Sequence, residues 1–315
     1  MLPRLSLRQL LIFAAIAETG STTTAGVRLS LSQSAASAAL NELEHLLGTR
    51  LFDRVGRRLL LNETGRALQP RARALLDNAM GVERDFAAHS RSSSAQQAIQ
   101  LRVGASTTIG NYLLPSLVAR FRDVQPAAHI DVQIGNTQDV SASVGRLDVD
   151  FGLIEGPCHE RGVRAEPWIE DELLIVCAAA HPLLRGGKRR HVSVGSLREG
   201  PWLLREPGSG TRESVERALL PHLHELQEGM QFGSTEAIKQ AAAEGLGLTC
   251  LSRYAVQDLI TLGRLLPLKT ALPRLTRRFY LIHHPQKYFS AALNEFVTHC
   301  RNERETASRG GNRPG

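Results

Sequence analysis

Small hydroxyl residues and glycines follow three predicted strands, each time just before a predicted helix, at 103–110, 206–212 and 232–236. Free backbone N–H groups and the positive end of the dipole allow a helix N-terminus to bind anions. Taken one at a time, each turn is explained as an ordinary helix cap. Because parallel strands bring their carboxyl ends to one edge of a sheet, the three turns together predict one shared cleft for a small anion. The predicted lining residues are Ser106, Thr107, Thr108, Asn136, Thr137, Glu155, Ser209, Thr211 and Thr235.

No catalytic motif accompanies these turns. The chain lacks G-x-S-x-G, H-E-x-x-H and G-x-x-x-x-G-K-[ST], and the turn at 208–212 lacks the phosphate-loop lysine and its spacing. The histidine pairs at 222/224 and 283/284 have no third ligand at a spacing typical of metal sites. We therefore predict no catalytic residue, no metal site and no cofactor, and a protein that is not an enzyme.

The four cysteines lie at positions 158, 177, 250 and 300 and form no C-x-x-C pair, too few for a disulfide framework. A redox switch formed by Cys158 and Cys177 is an alternative, although no neighbouring residue marks either thiol as activated. Buried, unreactive thiols are the favoured reading.

Positive charge is concentrated at the two ends of the chain. Residues 1–92 carry a net charge of +4 and residues 301–315 a net charge of +2, whereas the 208 residues between them carry only +1. A basic end on a nearly neutral body is typical of a nucleic-acid-binding protein. Only four of the 38 basic residues are lysines, so an arginine-rich genome is the alternative explanation.

The N-terminal elements that must position this charge are three predicted helices and a hairpin. The second helix spans 22–29 and the third spans 32–47, where apolar residues at 36, 40, 43 and 47 share one face. The other face is small and polar, which suits the floor of the DNA major groove, and the arrangement is that of a helix-turn-helix. A hairpin around Gly56 follows, with arginines placed to contact phosphate. The predicted DNA-contacting residues are Ser32, Gln33, Ser34, Ser37, Arg54, Arg57 and Arg58.

A long helix is predicted from residue 62 to about 89. Its apolar residues repeat at alternating spacings of four and three, as in a coiled-coil seam. They are Leu68, Ala72, Leu75, Ala79, Val82 and Phe86. The seam predicts dimerisation, with packing on its own domain as the alternative. The polar segment 90–97 is then a linker.

Beyond the linker, apolar strands alternate with helices, which predicts an α/β body with a mostly parallel sheet. Strands are expected at 99–105, 129–134, 150–154, 173–179, 202–205, 248–251 and 279–282. The body is long for one sheet, so segments 166–171 and 265–271 are predicted to cross between two lobes. The Gly-, Arg- and Asn-rich end after residue 301 is predicted to be disordered.

The N-terminal motifs SQSAAS at 32–37, LFDR at 51–54 and LNETG at 61–65 resemble the DNA-binding domain of LysR-type transcriptional regulators. The segments GASTTIGNYLLP at 104–115, REPGSGTR at 205–212 and GSTEAIK at 233–239 are most similar to the CysL-like branch. Two departures are Ser34, where the family usually has proline, and Gly26, where it usually has alanine. Glycine should soften the second helix by roughly 1 kcal/mol, and Ser34 leaves the target sequence open.

The resemblance implies a fold of class α + α/β: a winged helix-turn-helix (1–62), a linker and dimerisation helix (63–92) and a two-lobed effector-binding domain like a periplasmic binding protein (99–300). Lobe 1 is expected at about 99–168 and 269–300, lobe 2 at about 169–268, and a disordered tail at 301–315. It also implies base contacts at Gln33, Ser34 and Ser37, with Ser106 and Thr108 facing the effector.

The implied partners are double-stranded promoter DNA, further copies of the chain in a dimer of dimers, a small-molecule inducer and RNA polymerase. The short apolar run at 10–17 is closed by Glu18 and followed by another helix, so it is expected to be a core helix rather than a signal peptide. No run approaches 18 apolar residues, and a cytoplasmic protein is expected. Two rivals stay open: a cytoplasmic solute-binding protein without specific DNA recognition, and an enzyme that acts on an anionic metabolite.

Overall fold

The computed structural model describes residues 4–56, 58–87, 99–184 and 192–310. The chain divides into two compact units. The first comprises Met1–Gln96 with Pro285–Ser290, and the second comprises Gln97–His284 with Ala291–Gly315.

The first unit contains four helices and one hairpin within its described residues. In chain order they are α1 (Leu7–Thr19), α2 (Thr22–Arg28), α3 (Gln33–Leu47), β1 (Phe52–Val55), β2 (Arg58–Leu61) and α4 (Glu63–Ala87). Strands β1 and β2 pair antiparallel, with Phe52 opposite Leu61 and Val55 opposite Arg58. The helix-turn-helix and its wing, the β1–β2 hairpin, are thereby confirmed.

Capping residues explain where these helices begin and end. Ser6 and Gln9 form a capping box at the start of α1, and Ser21 and Ser32 accept backbone N–H groups at the starts of α2 and α3. Gly20 and Gly48 end α1 and α3 in the left-handed conformation, with φ of 67° and 66°. Glycine adopts that conformation without a Cβ clash.

The core of the first unit holds α3 by its apolar face. Leu10, Phe13 and Ile16 of α1 are buried with Leu40 and Leu43 of α3 in one cluster.

In the described part of the chain, no single helix is long and apolar enough to cross a membrane. Helices α1 and α2 reach that length and hydropathy only as a pair bent by 119°.

Helix α4 divides along its length. Ala72 is fully buried in the core of the first unit, and Leu68 packs against the same core. Leu75 and Val82, further along the predicted seam, are 48% and 55% exposed. The first part of the seam thus packs on its own unit, as the alternative interpretation expects. Leu75 and Val82, in its later part, are exposed to solvent. The side chain of Phe86 and the predicted linker 90–97 lie outside the described residues.

The second unit opens with three strands and their helices. They are β3 (Ile99–Ser106), α5 (Thr107–Tyr112), α6 (Leu114–Val124), β4 (Ala128–Gly135), α7 (Thr137–Gly145) and β5 (Phe151–Glu155). The strand β6 (Arg164–Ala178) and a 3₁₀ turn at Pro182–Leu184 follow. The remaining elements are α8 (Val194–Glu199), β7 (Trp202–Arg205), α9 (Gly210–Leu223), β8 (Glu228–Phe232), α10 (Thr235–Ala243), β9 (Thr249–Ser252), α11 (Arg253–Thr261), β10 (Leu265–Pro267), β11 (Thr276–His283) and α12 (Ala291–Gly310).

Two lobes share a sheet of seven strands in the order β10-β6-β11-β5-β3-β4, with β9 also paired to β6. In lobe 1, β3 lies between β4 and β5 and is parallel to both. In lobe 2, β7 and β8 form a parallel pair. Strands β6 and β11 run antiparallel to each other and connect the lobes. The two-lobed α/β architecture is thus confirmed.

The structure corrects three details of the sequence prediction. The large sheet is not mostly parallel, because β6, β9, β10 and β11 all pair antiparallel with their neighbours. The strand expected at 173–179 begins at Arg164, since the predicted crossing at 166–171 is itself part of β6. In addition, α12 continues to Gly310, beyond the predicted onset of disorder at 301.

Ion pairs anchor the first turn of α12 beyond Cys300. Arg301 lies 2.7 Å from Glu166, and Glu303 lies 2.6 Å from Arg120. The charges that suggest disorder in the sequence therefore hold the first turn of the predicted tail against lobe 1. Residues 311–315 lie outside the described part of the chain.

Candidate functional site

The N-terminal end of α3 presents polar side chains outward. Ser32, the N-cap, Gln33 and Ser34 are exposed, whereas Ser37 is half-buried. The Gln33 amide donates a hydrogen bond to Thr22 Oγ1 of α2 at 3.3 Å, and the hydroxyls of Ser32 and Ser34 lie 2.9 Å apart. The structure thus brings the four predicted helix residues together at one end of a helix whose opposite face is buried.

The wing carries exposed arginines. Arg54 on β1 and Arg58 on β2 are both exposed, one on each strand of the hairpin. Gly56 in the turn between them has a φ of 59°, which favours glycine. Arg57, the third predicted wing residue, lies outside the described residues.

A buried arginine on a crossing strand joins the two lobes. Arg277 Nε lies 2.7 Å from Asp171 Oδ2, and its Nη1 lies 2.8 Å from Glu155 Oε2. The same guanidinium donates to Thr211 Oγ1 at 2.8 Å and to Thr108 Oγ1 at 3.3 Å. We call these five residues the Arg277 cluster; all are buried.

The electrostatics of the Arg277 cluster are those of a stabilised ion network. Burial acts to raise the pKa of Glu155, but Arg277 and hydrogen bonds from Thr211 and Thr108 outweigh it and hold that pKa below its ordinary value. Burial raises the pKa of Asp171, and Arg277 and Ser252 offset this only in part. The pKa of Arg277 stays above its ordinary value despite burial, because two carboxyl groups face it.

A second buried arginine lies at the carboxyl end of β7. Arg205 donates from Nε and Nη2 to the two carboxylate oxygens of Glu206, each at 2.7 Å. Its Nη1 donates to Thr107 Oγ1 of lobe 1 and Thr235 Oγ1 of lobe 2, again each at 2.7 Å. We call these four residues the Arg205 cluster.

Three more predicted residues, Ser106, Asn136 and Ser209, lie where a strand ends or a helix begins. Asn136 and Ser209 are the N-caps of α7 and α9, and each side chain accepts a backbone N–H of its own helix. Ser106 ends β3 but makes no such cap bond. Its hydroxyl is buried and has no hydrogen-bond partner within the described residues. A buried polar group of this kind is unusual without a ligand or water to satisfy it.

A cavity of about 440 Å³ lies between α7 of lobe 1 and α9 of lobe 2. Thr137 and Ser209 line it, together with residues of the 157–160 loop and the 207–208 turn. Thr137 Oγ1 is already committed, since it donates to the Glu155 carbonyl at 2.9 Å and accepts from Gly210 N at 3.2 Å. The volume is in the range expected for a small-molecule site.

Two family profiles match the chain. Residues 94–305 match the LysR substrate binding domain, and residues 7–66 match the bacterial regulatory helix-turn-helix protein of the lysR family. The chain belongs to the LysR family of transcriptional regulators.

Individual relatives agree with this assignment. The HTH-type transcriptional regulator YeiE of Escherichia coli is 47% identical over 94% of this chain and 97% of its own length. The HTH-type transcriptional regulator CysL of Bacillus subtilis is 32% identical over 91% of this chain and 93% of its own length. Full-length OxyR of Pseudomonas aeruginosa has the same fold, with a TM-score of 0.75, 22% identity and coverage of 96% of both chains.

In this LysR-type regulator the predicted effector residues fall into groups. Thr108, Glu155 and Thr211 belong to the Arg277 cluster, where their hydrogen-bonding groups are used between the lobes, which argues against direct ligand contact. Thr107 and Thr235 belong to the Arg205 cluster, which Ser106 adjoins in sequence. Asn136, Thr137 and Ser209 lie at the N-terminal ends of α7 and α9.

The sequence interpretation missed the two arginines that organise these groups. Arg277 shares the inward face of β11 with Phe279 and Leu281, so a charged residue at a core position was the available signal. Arg205 ends the apolar strand WLLR and gives a similar signal.

Three of the four cysteines are buried, as expected, whereas Cys158 is only half-buried. Burial raises the pKa of Cys177 to about 11 and those of Cys250 and Cys300 to about 12, which opposes thiolate formation. No group of three or more His, Cys, Asp or Glu side chains in the described ranges is placed to hold a metal ion.

Proposed function

We propose that this LysR-type regulator binds a specific, dyad-symmetric promoter sequence through α3 and its wing, and that a small anion bound between the lobes controls it. The observation that carries the DNA half is the exposed polar end of α3, held rigidly by its buried opposite face. Residues at the N-terminal end of a recognition helix contact base edges. Gln33, Ser34 and Ser37 would therefore select the sequence, with Ser32 beside them.

The wing supplies affinity rather than sequence choice. Arg54, Arg57 and Arg58 would neutralise phosphates, a contribution that falls steeply with salt concentration. The exposed positions of Arg54 and Arg58 support this role.

The anionic character of the effector rests on the interlobe residues. Arg205 supplies a buried guanidinium, and Ser106 supplies a hydroxyl without a partner in the described residues. Thr107, Thr235, Asn136 and Ser209 add further polar groups at helix starts. Binding there would shift the population of lobe arrangements and thereby the spacing of the DNA-binding domains.

Assembly and partners follow from the family. We propose a homotetramer built as a dimer of dimers, which acts in the cytoplasm and contacts RNA polymerase. Leu75 and Val82, exposed on α4, support pairing of this helix with a second copy. Functional borders are proposed at 62/63 for the DNA-binding domain and between 92 and 99 for the effector domain.

The alternative is a solute-binding protein whose N-terminal unit has no sequence preference. A Gln33→Ala variant separates the two. We expect it to lose discrimination between the operator and a scrambled duplex by about 1–3 kcal/mol, because an amide that contacts a base edge is worth that much. Electrophoretic mobility shifts at fixed salt concentration measure the two affinities.

The matched control is Gln257→Ala, which removes an exposed amide from α11 of the other unit. It should leave discrimination unchanged. Full discrimination in the Gln33→Ala protein would show that α3 does not select the sequence.

A further inference from the structure

One partner in the Arg205 cluster, Glu206, is partly exposed to solvent. The Arg205 side chain is 1% exposed, whereas the side chain of Glu206 is 21% exposed. Glu206 follows Arg205 directly in the chain, beyond the last residue of β7. Its carboxylate can therefore turn toward solvent by side-chain rotation alone, while the guanidinium stays fixed by Thr107 and Thr235.

The Glu206 carboxylate contacts Arg205 in the geometry that a bound carboxylate ligand would adopt. Nε and Nη2 of Arg205 present two parallel N–H groups, and the Glu206 carboxylate accepts both at 2.7 Å. This bidentate arrangement is how arginine binds carboxylates and phosphates in general. Any oxyanion that uses the same N–H groups must displace Glu206.

Hydroxyl groups around Arg205 are suited to contact the oxygens of an oxyanion that the two N–H groups do not use. Thr107 of lobe 1 and Thr235 of lobe 2 both accept from Arg205 Nη1, so the guanidinium already spans the cleft. The buried hydroxyl of Ser106, one residue before Thr107, has no partner in the described part of the chain. Its O–H is therefore available to donate to a ligand that binds at this end of β3.

We propose that Glu206 is an internal competitor of the effector: its carboxylate occupies the Arg205 N–H pair, and an oxyanion effector binds by displacing it. The inference rests on the proposed anionic effector and adds the residue that sets its affinity. It also restricts the chemical class to anions with two oxygens that match the planar guanidinium, such as carboxylates, sulfur oxyanions and phosphates. A spherical halide matches poorly.

The test is calorimetric titration of the full chain with inorganic sulfate, inorganic phosphate and acetate at constant ionic strength. Glu206→Gln keeps the size of the side chain but removes its charge. We expect the Kd for at least one of these oxyanions to fall about tenfold or more, because a neutral amide binds the guanidinium less strongly than a carboxylate and so competes less with the oxyanion. Chloride should gain no comparable affinity.

The matched control is Glu244→Gln, which makes the same charge change in a pair with Arg264, remote from Arg205 in the chain. It should leave every Kd within about twofold of the wild type. Arg205→Lys in the Glu206→Gln background should abolish the gain, because an ammonium lacks the two parallel N–H groups. If that double variant does not fold, the comparison of the two single variants decides alone.

The outcomes are distinct. Equal oxyanion affinity in the wild type and in Glu206→Gln would overturn the competitor role but leave the anionic effector standing. A gain of the same size in Glu244→Gln would show a general charge effect and overturn the role as well. If no variant binds any of the three oxyanions, both the anionic effector and this inference fail, while operator binding by the same preparations still tests the DNA half.

Discussion

Two buried arginines at the residue scale have opposite character. Arg277 faces two buried carboxyl groups, and each of them accepts a further hydrogen bond, Asp171 from Ser252 and Glu155 from the backbone of Thr108. Arg205 faces one partly exposed carboxylate on the next residue. A buried network in which both carboxyl groups have several hydrogen bonds stabilises one arrangement of the lobes, whereas a pair with one partly exposed partner suits ligand exchange.

Glu155→Gln tests the structural role of Arg277. Because the pKa of Glu155 lies below its ordinary value of 4.5, its ionised form contributes stability that is fully present above pH 4.5 and is lost as the pH falls through the lowered pKa. We expect the variant to lose about 3 kcal/mol of unfolding free energy at pH 7, as for a broken buried ion pair. The difference from the wild type should shrink as the pH falls below 4.5.

Urea unfolding followed by tryptophan fluorescence measures this effect, since both tryptophans, Trp168 and Trp202, are buried in the second unit. Asp171, with its raised pKa, has the opposite pH dependence, so the difference between variant and wild type is the informative quantity. A difference that is constant from pH 7 to pH 3 would contradict the assigned ionisation of Glu155.

The sequence could predict the hydroxyl residues of the site but not their partners. Ser106, Thr107 and Thr235 follow strands and precede helices, which local patterns reveal. The hydrogen bonds of Thr107 and Thr235 to Arg205 join positions 98 and 30 residues apart, and that of Thr108 to Arg277 joins positions 169 residues apart. Such pairings follow from the way two lobes close on one another, which no local pattern encodes.

At the scale of elements, the backbone of α2 at Gly26 approaches closely the turn that precedes α3. Leu31 N donates to Gly26 O at 2.8 Å, and a Cβ on Gly26 would lie 2.9 Å from Leu31 O. Glycine costs the helix roughly 1 kcal/mol of propensity relative to alanine. Here it also permits the close approach that orients α3.

Gly26→Ala should therefore destabilise α2 rather than strengthen it. Crowding against a backbone carbonyl costs about 1–3 kcal/mol, which exceeds the gain in helix propensity and leaves a net loss of about 1 kcal/mol. Hydrogen exchange of the α2 amides should accelerate by about fivefold.

Gly195→Ala in α8 is the matched control, because its added Cβ would come no closer than 3.8 Å to the hydroxyl of Ser193. Exchange in α8 should slow. Slower exchange in α2 of the Gly26→Ala protein would contradict the close approach.

Elements with a single clear period were predictable, and elements with mixed environments were not. Helix α3 has one apolar face and one polar face, and the sequence places it to within a residue. Strand β6 is charged and partly exposed at its start but buried at its end, because it leaves one lobe and enters the other. The change of environment hides its first half from any pattern of alternation.

At the scale of the whole molecule, the chain combines a DNA-binding unit with an effector unit whose lobes share continuous strands. Strands β6 and β11 link the lobes, and the Arg205 and Arg277 clusters cross between them. A ligand that displaces Glu206 from the Arg205 cluster and leaves the Arg277 cluster intact can change the angle between the lobes without unfolding either lobe. The proposed regulation of DNA binding by an anion would use that arrangement.

Capture of genomic DNA by the purified full chain, followed by sequencing of the retained fragments, tests the central claim most directly. We expect enrichment of a dyad-symmetric motif, with half-sites spaced by whole turns of the duplex, and a pattern of occupancy that shifts when an oxyanion effector is added. Uniform retention of all sequences that disappears at moderate salt would reflect phosphate contacts alone, and would contradict the assignment of α3 as a sequence-selective element.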